Sequence, residues 1–151
     1  FDFPDNRMDS VDLLDVIKVI ENKINEIKPE IIYTHHSNDL NVDHRITHQA
    51  VFTACQPEPN TTIKKIYCFE VPSSTEWQAP MAETPFIPNT FVDISNTLEI
   101  KLAALKAYES EMKPWPHSRS IQAIEYLARW RGASAGFEAA EAFSLSRNLV
   151  S

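Results

Sequence analysis

The sequence predicts an α/β fold with parallel strands, and three observations carry that prediction. Leu13, Ile17, Ile20, Ile24 and Ile27 recur at steps of four and three, which marks one apolar face of a helix. A β-branched run, Ile31-Ile32-Tyr33, follows directly after Lys28-Pro29. The alternation then repeats, with a helical segment from Asp43 to Cys55 and a strand-like segment from Lys65 to Val71. Phe1–Phe3, the first helix and Ile31–Tyr33 together read as a βαβ unit, so those two strands should run parallel.

Taken in order, Phe1 to Phe3 reads as the end of a strand and Pro4-Asp5-Asn6-Arg7 as the loop after it. The abrupt start leads us to expect further residues, and at least one strand, upstream. Asp9 or Ser10 can cap the first helix, because a short acceptor satisfies the free amides of a first turn. Lys28-Pro29 ends that helix. After the strand ending at Tyr33 comes the second helix, with Asp43 near its start. Pro57, Pro59 and Asn60 form its exit loop. Residues 72 to 90 hold Pro72, Pro80, Pro85 and Pro88 plus Trp77, and a long loop of this kind is more often functional than idle. Phe91 to Ile94 is a short strand. Ser95 can cap a helix carrying Leu98, Leu102, Leu105, Tyr108 and Met112, which Pro114-Trp115-Pro116 breaks. Ser118 or Ser120 opens a last helix with Ile121, Ile124, Leu127 and Ala128 inward, and Glu138 to Arg147 is a short final element.

Composition narrows the class of function. A chain of 151 residues with 43% apolar residues reads as one domain with a real core. The net charge of −7 and the lack of any Lys/Arg block remove the footprint of a nucleic-acid binder. The apolar runs are far short of a membrane span, and nothing resembles a signal peptide. Cys55 and Cys68 sit in apolar segments and read as reduced core thiols of a cytoplasmic protein. Gly132 and Gly136 are the only glycines, so no Gly-rich phosphate loop exists, which disfavours a nucleotide-binding domain.

The chemistry concentrates between His35 and His48. Fourteen residues hold four of the five histidines and two aspartates, at a strand-to-helix turn where open α/β folds present reactive groups. His44 and His48 are four apart and share a helix face, a spacing that suits zinc. The glutamate of a His-Glu-x-x-His protease is absent. Asp39-Leu40-Asn41-Val42-Asp43 imitates a calcium loop but fails at the required glycine, where His44 stands, and at the closing glutamate, where Ala50 stands. The plainer reading is that these polar groups cap a helix and line a loop.

Thr34-His35-His36 through Asp43-His44-Arg45, followed by Thr47-His48, resembles the second motif of the LmbE-like (PIG-L) zinc N-deacetylases. Phe3-Pro4-Asp5-Asn6-Arg7 resembles that family's substrate loop. Further similar stretches are Phe69-Glu70-Val71, Ala107-Tyr108-Glu109-Ser110, Ala128-Arg129-Trp130-Arg131-Gly132 and Ala140-Glu141-Ala142-Phe143. The resemblance implies a Rossmann-like three-layer α/β fold with a mainly parallel sheet, and a single deacetylase domain over residues 1–151 that is N-terminally incomplete.

It also implies a zinc cofactor held by two residues of an N-terminal His-Pro-Asp-Asp motif and by one histidine of the second motif. His44 matches that histidine; the N-terminal motif, with the family's catalytic base, does not occur in these residues. Asp43, beside His44, is placed to orient an imidazole, with a plain helix cap as the equal alternative. Asn41 stands where many members carry a histidine; it can donate to an oxyanion but cannot supply a proton. His35, His36 or His117 is left to donate that proton. Asp5, Arg7, His35, His36 and Arg119 are the substrate contacts that the resemblance implies. Trp77 reads as a stacking wall for a sugar, and Trp115, Trp130 and Tyr108 as packing.

The expectation is therefore a zinc-dependent hydrolase removing the N-acetyl group from an amino-sugar or glycoconjugate, with these 151 residues inactive alone. The alternative is a non-catalytic carbohydrate-binding or scaffold protein. A sheet missing its first strand would expose apolar surface, so a homo-oligomer or another covering chain is expected.

Overall fold

A computed structural model describes residues 2–79 and 85–150. The chain forms two compact units, Phe1–Ile87 with Ser144–Ser151, and Pro88–Phe143. Their elements are α/β, as expected.

The first unit is built on α1 (Leu13–Ile27), β1 (Ile31–His35), α2 (Val42–Ala54) and β2 (Lys65–Phe69). Lys28 closes α1 in the left-handed region, at φ 51, with its amide on the Ile24 carbonyl. The face of α1 differs at its ends from the periodic reading. Val16 and Ile17 are its buried residues, whereas Ile27 is 67% exposed on the last turn. Asp12, not Asp9 or Ser10, holds the cap position, because Met8–Ser10 is a single 3-10 turn. β1 and β2 run parallel, with Ile31 beside Lys65 and His35 beside Phe69.

Two apolar clusters hold these elements together. Met8, Val16, Ile17 and Ala50 join α1 to α2. Val51, Cys55, Ile63 and Ile66 join α2 to β2, with Ile20, Ile24 and Ile32 packed against them. Asp2 and Phe3 lie outside any strand, contrary to the sequence reading; Phe3 packs instead on the α1–α2 cluster. Phe1 is outside the described residues. Cys55 and Cys68 are buried free thiols, and burial raises both, Cys55 to about 11 despite Arg147 nearby.

The second unit holds β3 (Thr90–Asp93), α3 (Leu98–Lys106) and α4 (Ile121–Ala133). The last strand, β4 (Ala140–Asn148), starts here and ends in the first unit. Its opening residues pair antiparallel with β3, from Thr90 beside Phe143 to Asp93 beside Ala140. Leu98, Leu102, Ile124, Ala128 and Ala139 form the core. Ser120 caps α4 by accepting the Ala123 amide at 3.0 Å. Ser95 does not cap α3; its hydroxyl donates to Asp93, and the helix stops at Lys106. Tyr108 therefore falls beyond the helix and is 66% exposed. Trp115 and Trp130 are exposed as well, against the packing role predicted for them. Ile124, Ala128 and Gly132, spaced by four, define the buried side of α4 and turn Trp130 away from it.

Gly132 is required by close approach. A Cβ there would lie 2.6 Å from Ala139 Cα and 2.8 Å from the Phe137 carbonyl oxygen. Gly132→Ala should cost about 1–3 kcal/mol, the usual penalty of overpacking. Urea unfolding measures it, and an unchanged midpoint would show that the backbone at Ala139 yields freely.

Candidate functional site

The site grows from the end of β1. His35 is its last residue, and the chain turns through His36 to Asn41 before α2 begins. Asn41 caps α2, its side-chain oxygen accepting the amides of Asp43 at 2.8 Å and His44 at 3.4 Å. This places His44 in the first turn. Arg45 clamps the turn by donating to the carbonyls of Asp39 and Leu40, each at 2.6 Å.

Asp39 is the centre of the arrangement and is fully buried, at 0% exposure. Its Oδ1 accepts from the Asn41 amide at 2.9 Å and the Ser74 hydroxyl, and lies 3.0 Å from His44 Nδ1. Its Oδ2 accepts from the Thr75 hydroxyl at 2.8 Å. Burial by itself would raise this carboxyl; the bonds from His44, Ser74, Asn41 and Thr75 outweigh it and hold Asp39 well below the usual carboxylate range. The same turn of the long loop is sewn to the motif by the Leu40 amide on the Ser74 carbonyl and by Gln78 Nε2 on the Asp39 carbonyl, both at 3.2 Å.

The other histidines pack around this pair. The His35 ring stacks on His44 at 4.1 Å between centroids and leans on Phe69 at 4.9 Å. Its Nδ1 is buried with no hydrogen-bond partner among the described residues. Burial first, then His44, lowers His35 from 6.5 to about 4, against an upward pull from Asp39. His36 is buried and meets Phe86 edge-on at 5.4 Å. His48 donates from Nδ1 to the His35 carbonyl at 2.8 Å and lies against Phe52. Burial lowers its pKa, opposed by that carbonyl.

Asp43 takes a different place from the one its sequence position implies. Its carboxylate accepts the Asn6 amide at 2.6 Å and the Met8 amide at 2.9 Å, while Asp39 is the carboxylate on the His44 ring. Asn41 Nδ2 donates to Asn6 Oδ1 at 3.2 Å. These bonds fasten the turn carrying Asp5 and Arg7, both exposed, beside the start of α2. His117 and Arg119 belong to the second unit. There His117 Nδ1 accepts the Arg119 amide at 3.0 Å, which leaves the proton of a neutral ring on Nε2. The Arg119 guanidinium donates to Glu111 at 2.6 Å. Trp77, in the long loop, is 51% exposed.

Asp39, Ser74 and Thr75 escaped the sequence reading. The one local signal was a second aspartate just ahead of the capped helix; Ser74 and Thr75 approach it only through the fold. An open groove of about 400 Å³ between Glu21, Lys28, Gln56, Glu58 and Asn60 contains none of the predicted site residues.

Zinc asks for three protein ligands and an open position. His44 fits as one of them, since Asp39 takes its Nδ1 and Nε2 remains as a donor. No group of three His, Cys, Asp or Glu side chains suited to a metal occurs among the described residues. The described residues thus fit one corner of a zinc site and do not complete it.

Residues 1–55 match the family model described as PIG-L, GlcNAc-PI de-N-acetylase. Comparison with curated proteins finds no match. Solved structures with a similar fold include a conserved protein from Thermus thermophilus, at 18% identity and TM-score 0.72, covering 99% of this chain and 65% of that one. The 4-carboxy-2-hydroxymuconate hydratase GalB from Pseudomonas putida is similar at 21% identity and TM-score 0.68, over 91% and 60% of the two chains. The N,N'-diacetylchitobiose deacetylase from Pyrococcus horikoshii is similar at 17% identity and TM-score 0.65, over 88% and 51%. The chain spans about half to two thirds of these structures' lengths. At such identities the likeness is one of fold, an α/β fold that carries its polar cluster at a strand-to-helix turn. Within that class, residues 1–55 are similar to the PIG-L (LmbE-like) family.

Two outcomes test this geometry. The unfolded chain titrates His35 near 6.5 and the folded one near 4, so unfolding takes up protons in between and stability falls as pH drops through that window. Asp39, depressed in the fold, adds a further loss as pH falls below 3.8. Denaturant unfolding at a series of pH values should show the first loss in the native chain and a smaller one in His35→Phe, where only His48 is left lowered by burial; an equal slope in both would contradict the burial of a neutral His35. Asp43→Ala should speed hydrogen exchange at the Asn6 and Met8 amides and cost about 1.5–3 kcal/mol, the range for bonds to a charged group. Unchanged exchange there would show that the turn is held by other contacts.

Proposed function

We propose that this chain is part of a hydrolase that removes the N-acetyl group from an amino-sugar or glycoconjugate, with zinc as cofactor and His44 as one zinc ligand. The observation that carries the reading is the His44–Asp39 pair, at a strand-to-helix turn inside the segment that matches the de-N-acetylase family model. The named activity of the Pyrococcus neighbour, a deacetylase on an N-acetylated sugar, agrees with it.

The reaction needs help at both ends, because an amide carbonyl is a poor electrophile and an amine a poor leaving group. When bound, zinc supplies an activated water and polarises the carbonyl. The chain's own residues bind and orient. His44 offers a ring nitrogen, and the turn bearing Asp5 and Arg7 stands beside it for substrate hydroxyls. Asn41 Nδ2 gives one hydrogen to Asn6 and has its second for a developing oxyanion. The proton for the departing amine comes from an imidazole. His35, held at about 4, is uncharged at neutral pH and suits a wall of the site more than an acid. That favours His36, in the same unit, over His35 as the donor.

A second reading is a non-catalytic carbohydrate-binding or scaffold protein. Fold does not choose between them, since one neighbour of the same fold is named a hydratase.

Metal analysis after dialysis separates these readings. The 151 residues alone should retain zinc weakly, at well below one equivalent, and His44→Ala should remove what remains. Stoichiometric zinc would show that His44 has partners beyond those identified. In the full-length protein supplied with zinc, acetate release from an N-acetylglucosaminyl substrate should fall by about 100-fold or more in His44→Ala. Retained activity rejects His44 as a ligand, and no acetate release from the wild type favours the non-catalytic reading.

A further inference from the structure

The donors around Asp39 decide more than its own ionisation. Thr75 Oγ1 accepts the Val71 amide at 2.8 Å, so its single hydrogen is directed to Asp39 Oδ2. Ser74 Oγ receives the Asn41 amide at 3.3 Å and gives its hydrogen to Asp39 Oδ1. An ionised carboxylate only accepts. His44 Nδ1, 3.0 Å from Oδ1, must then carry a hydrogen; otherwise two lone pairs would face each other at a carboxylate that water does not reach. Ser74 is the one group near enough to upset this. Its oxygen lies 3.5 Å from His44 Nδ1, and a hydroxyl turned that way would favour the opposite ring form. Asp39 competes for that hydrogen and takes it.

We propose that Asp39, held by Ser74 and Thr75 of the long loop, is the positioning residue that locks His44 in the Nδ1–H tautomer and reserves Nε2 for a ligand. The lock belongs to the folded chain and needs no metal. Its consequence for zinc rests on the proposed role of His44 as a ligand: a neutral ring with its hydrogen on Nδ1 presents the Nε2 lone pair, whereas the other tautomer blocks it. The seating of Ser74 and Thr75 therefore reaches the reactive nitrogen through one carboxylate, although these residues are 30 and 31 positions from His44 in the sequence.

Long-range proton–nitrogen correlation spectra of the 15N-histidine-labelled chain read the tautomer directly. Spectra are taken at pH about 8, above the ordinary histidine range. His44→Gln assigns the signals by their loss. The wild type should show His44 as Nδ1–H. Asp39→Asn, whose amide can donate to Nδ1, should move His44 to Nε2–H or to a mixture. Ser74→Ala keeps the carboxylate and should keep Nδ1–H. An Nε2–H ring in the wild type overturns the proposal, and it does so even if Asp39→Asn fails to fold. An unchanged Nδ1–H ring in a folded Asp39→Asn chain overturns it too.

In the full-length protein, Asp39→Asn should weaken zinc binding by about 10- to 100-fold, the usual effect of losing the partner of a ligating histidine. Zinc binding that ignores His44→Ala, beside an Nδ1–H ring in the wild type, would sink the ligand reading while leaving the lock in place. Zinc binding that depends on His44 while the metal-free ring is Nε2–H would do the reverse.

Discussion

A fully buried carboxylate survives only if its oxygens are answered, and the site described here depends on how Asp39 is answered. Four donors meet it: the His44 ring, the Asn41 amide and the hydroxyls of Ser74 and Thr75. Each comes from a piece of chain that the fold must deliver to the same point. An unpaired carboxylate at that depth would cost several kcal/mol, so the end of β1, the first turn of α2 and the long loop are fixed together or not at all. The clusters on either side of α2 provide the rigidity beneath them.

The same economy governs Asn41 and Asp43. Asn41 spends its oxygen on the helix cap and its amide on Asn6. Asp43 spends its carboxylate on the amides of Asn6 and Met8. Both residues thus also join the Asp5–Arg7 turn to the histidine turn. The nearest carboxylate in sequence is not the nearest one to the ring.

This shows what was legible and why. α1 and α2 could be read because periodicity and a terminal Pro or Asn are local signals, and the histidine turn because its residues are contiguous. His44 followed from its position in the family motif. Asp39 as the partner of that ring was hidden, because Ser74 and Thr75 are drawn to it from 35 and 36 positions away. The exposure of Trp130 was hidden for a similar reason: which side of α4 is buried depends on Gly132 meeting Ala139, a contact no periodicity encodes. Glu138 to Arg147 gave no clear period, and the strand character of Ala140 to Phe143 comes with pairing to β3.

Function enters through a single ring nitrogen. The family match covers the segment that holds His44, the ligand proposed above, whose ring is paired with Asp39. The most direct test is a zinc-edge anomalous difference map from crystals of the full-length, metal-loaded protein. The account predicts one strong peak bonded to His44 Nε2, with Nδ1 still on Asp39. A peak bound elsewhere with His44 unliganded, or bound to Nδ1 with the Asp39 bond broken, would contradict it.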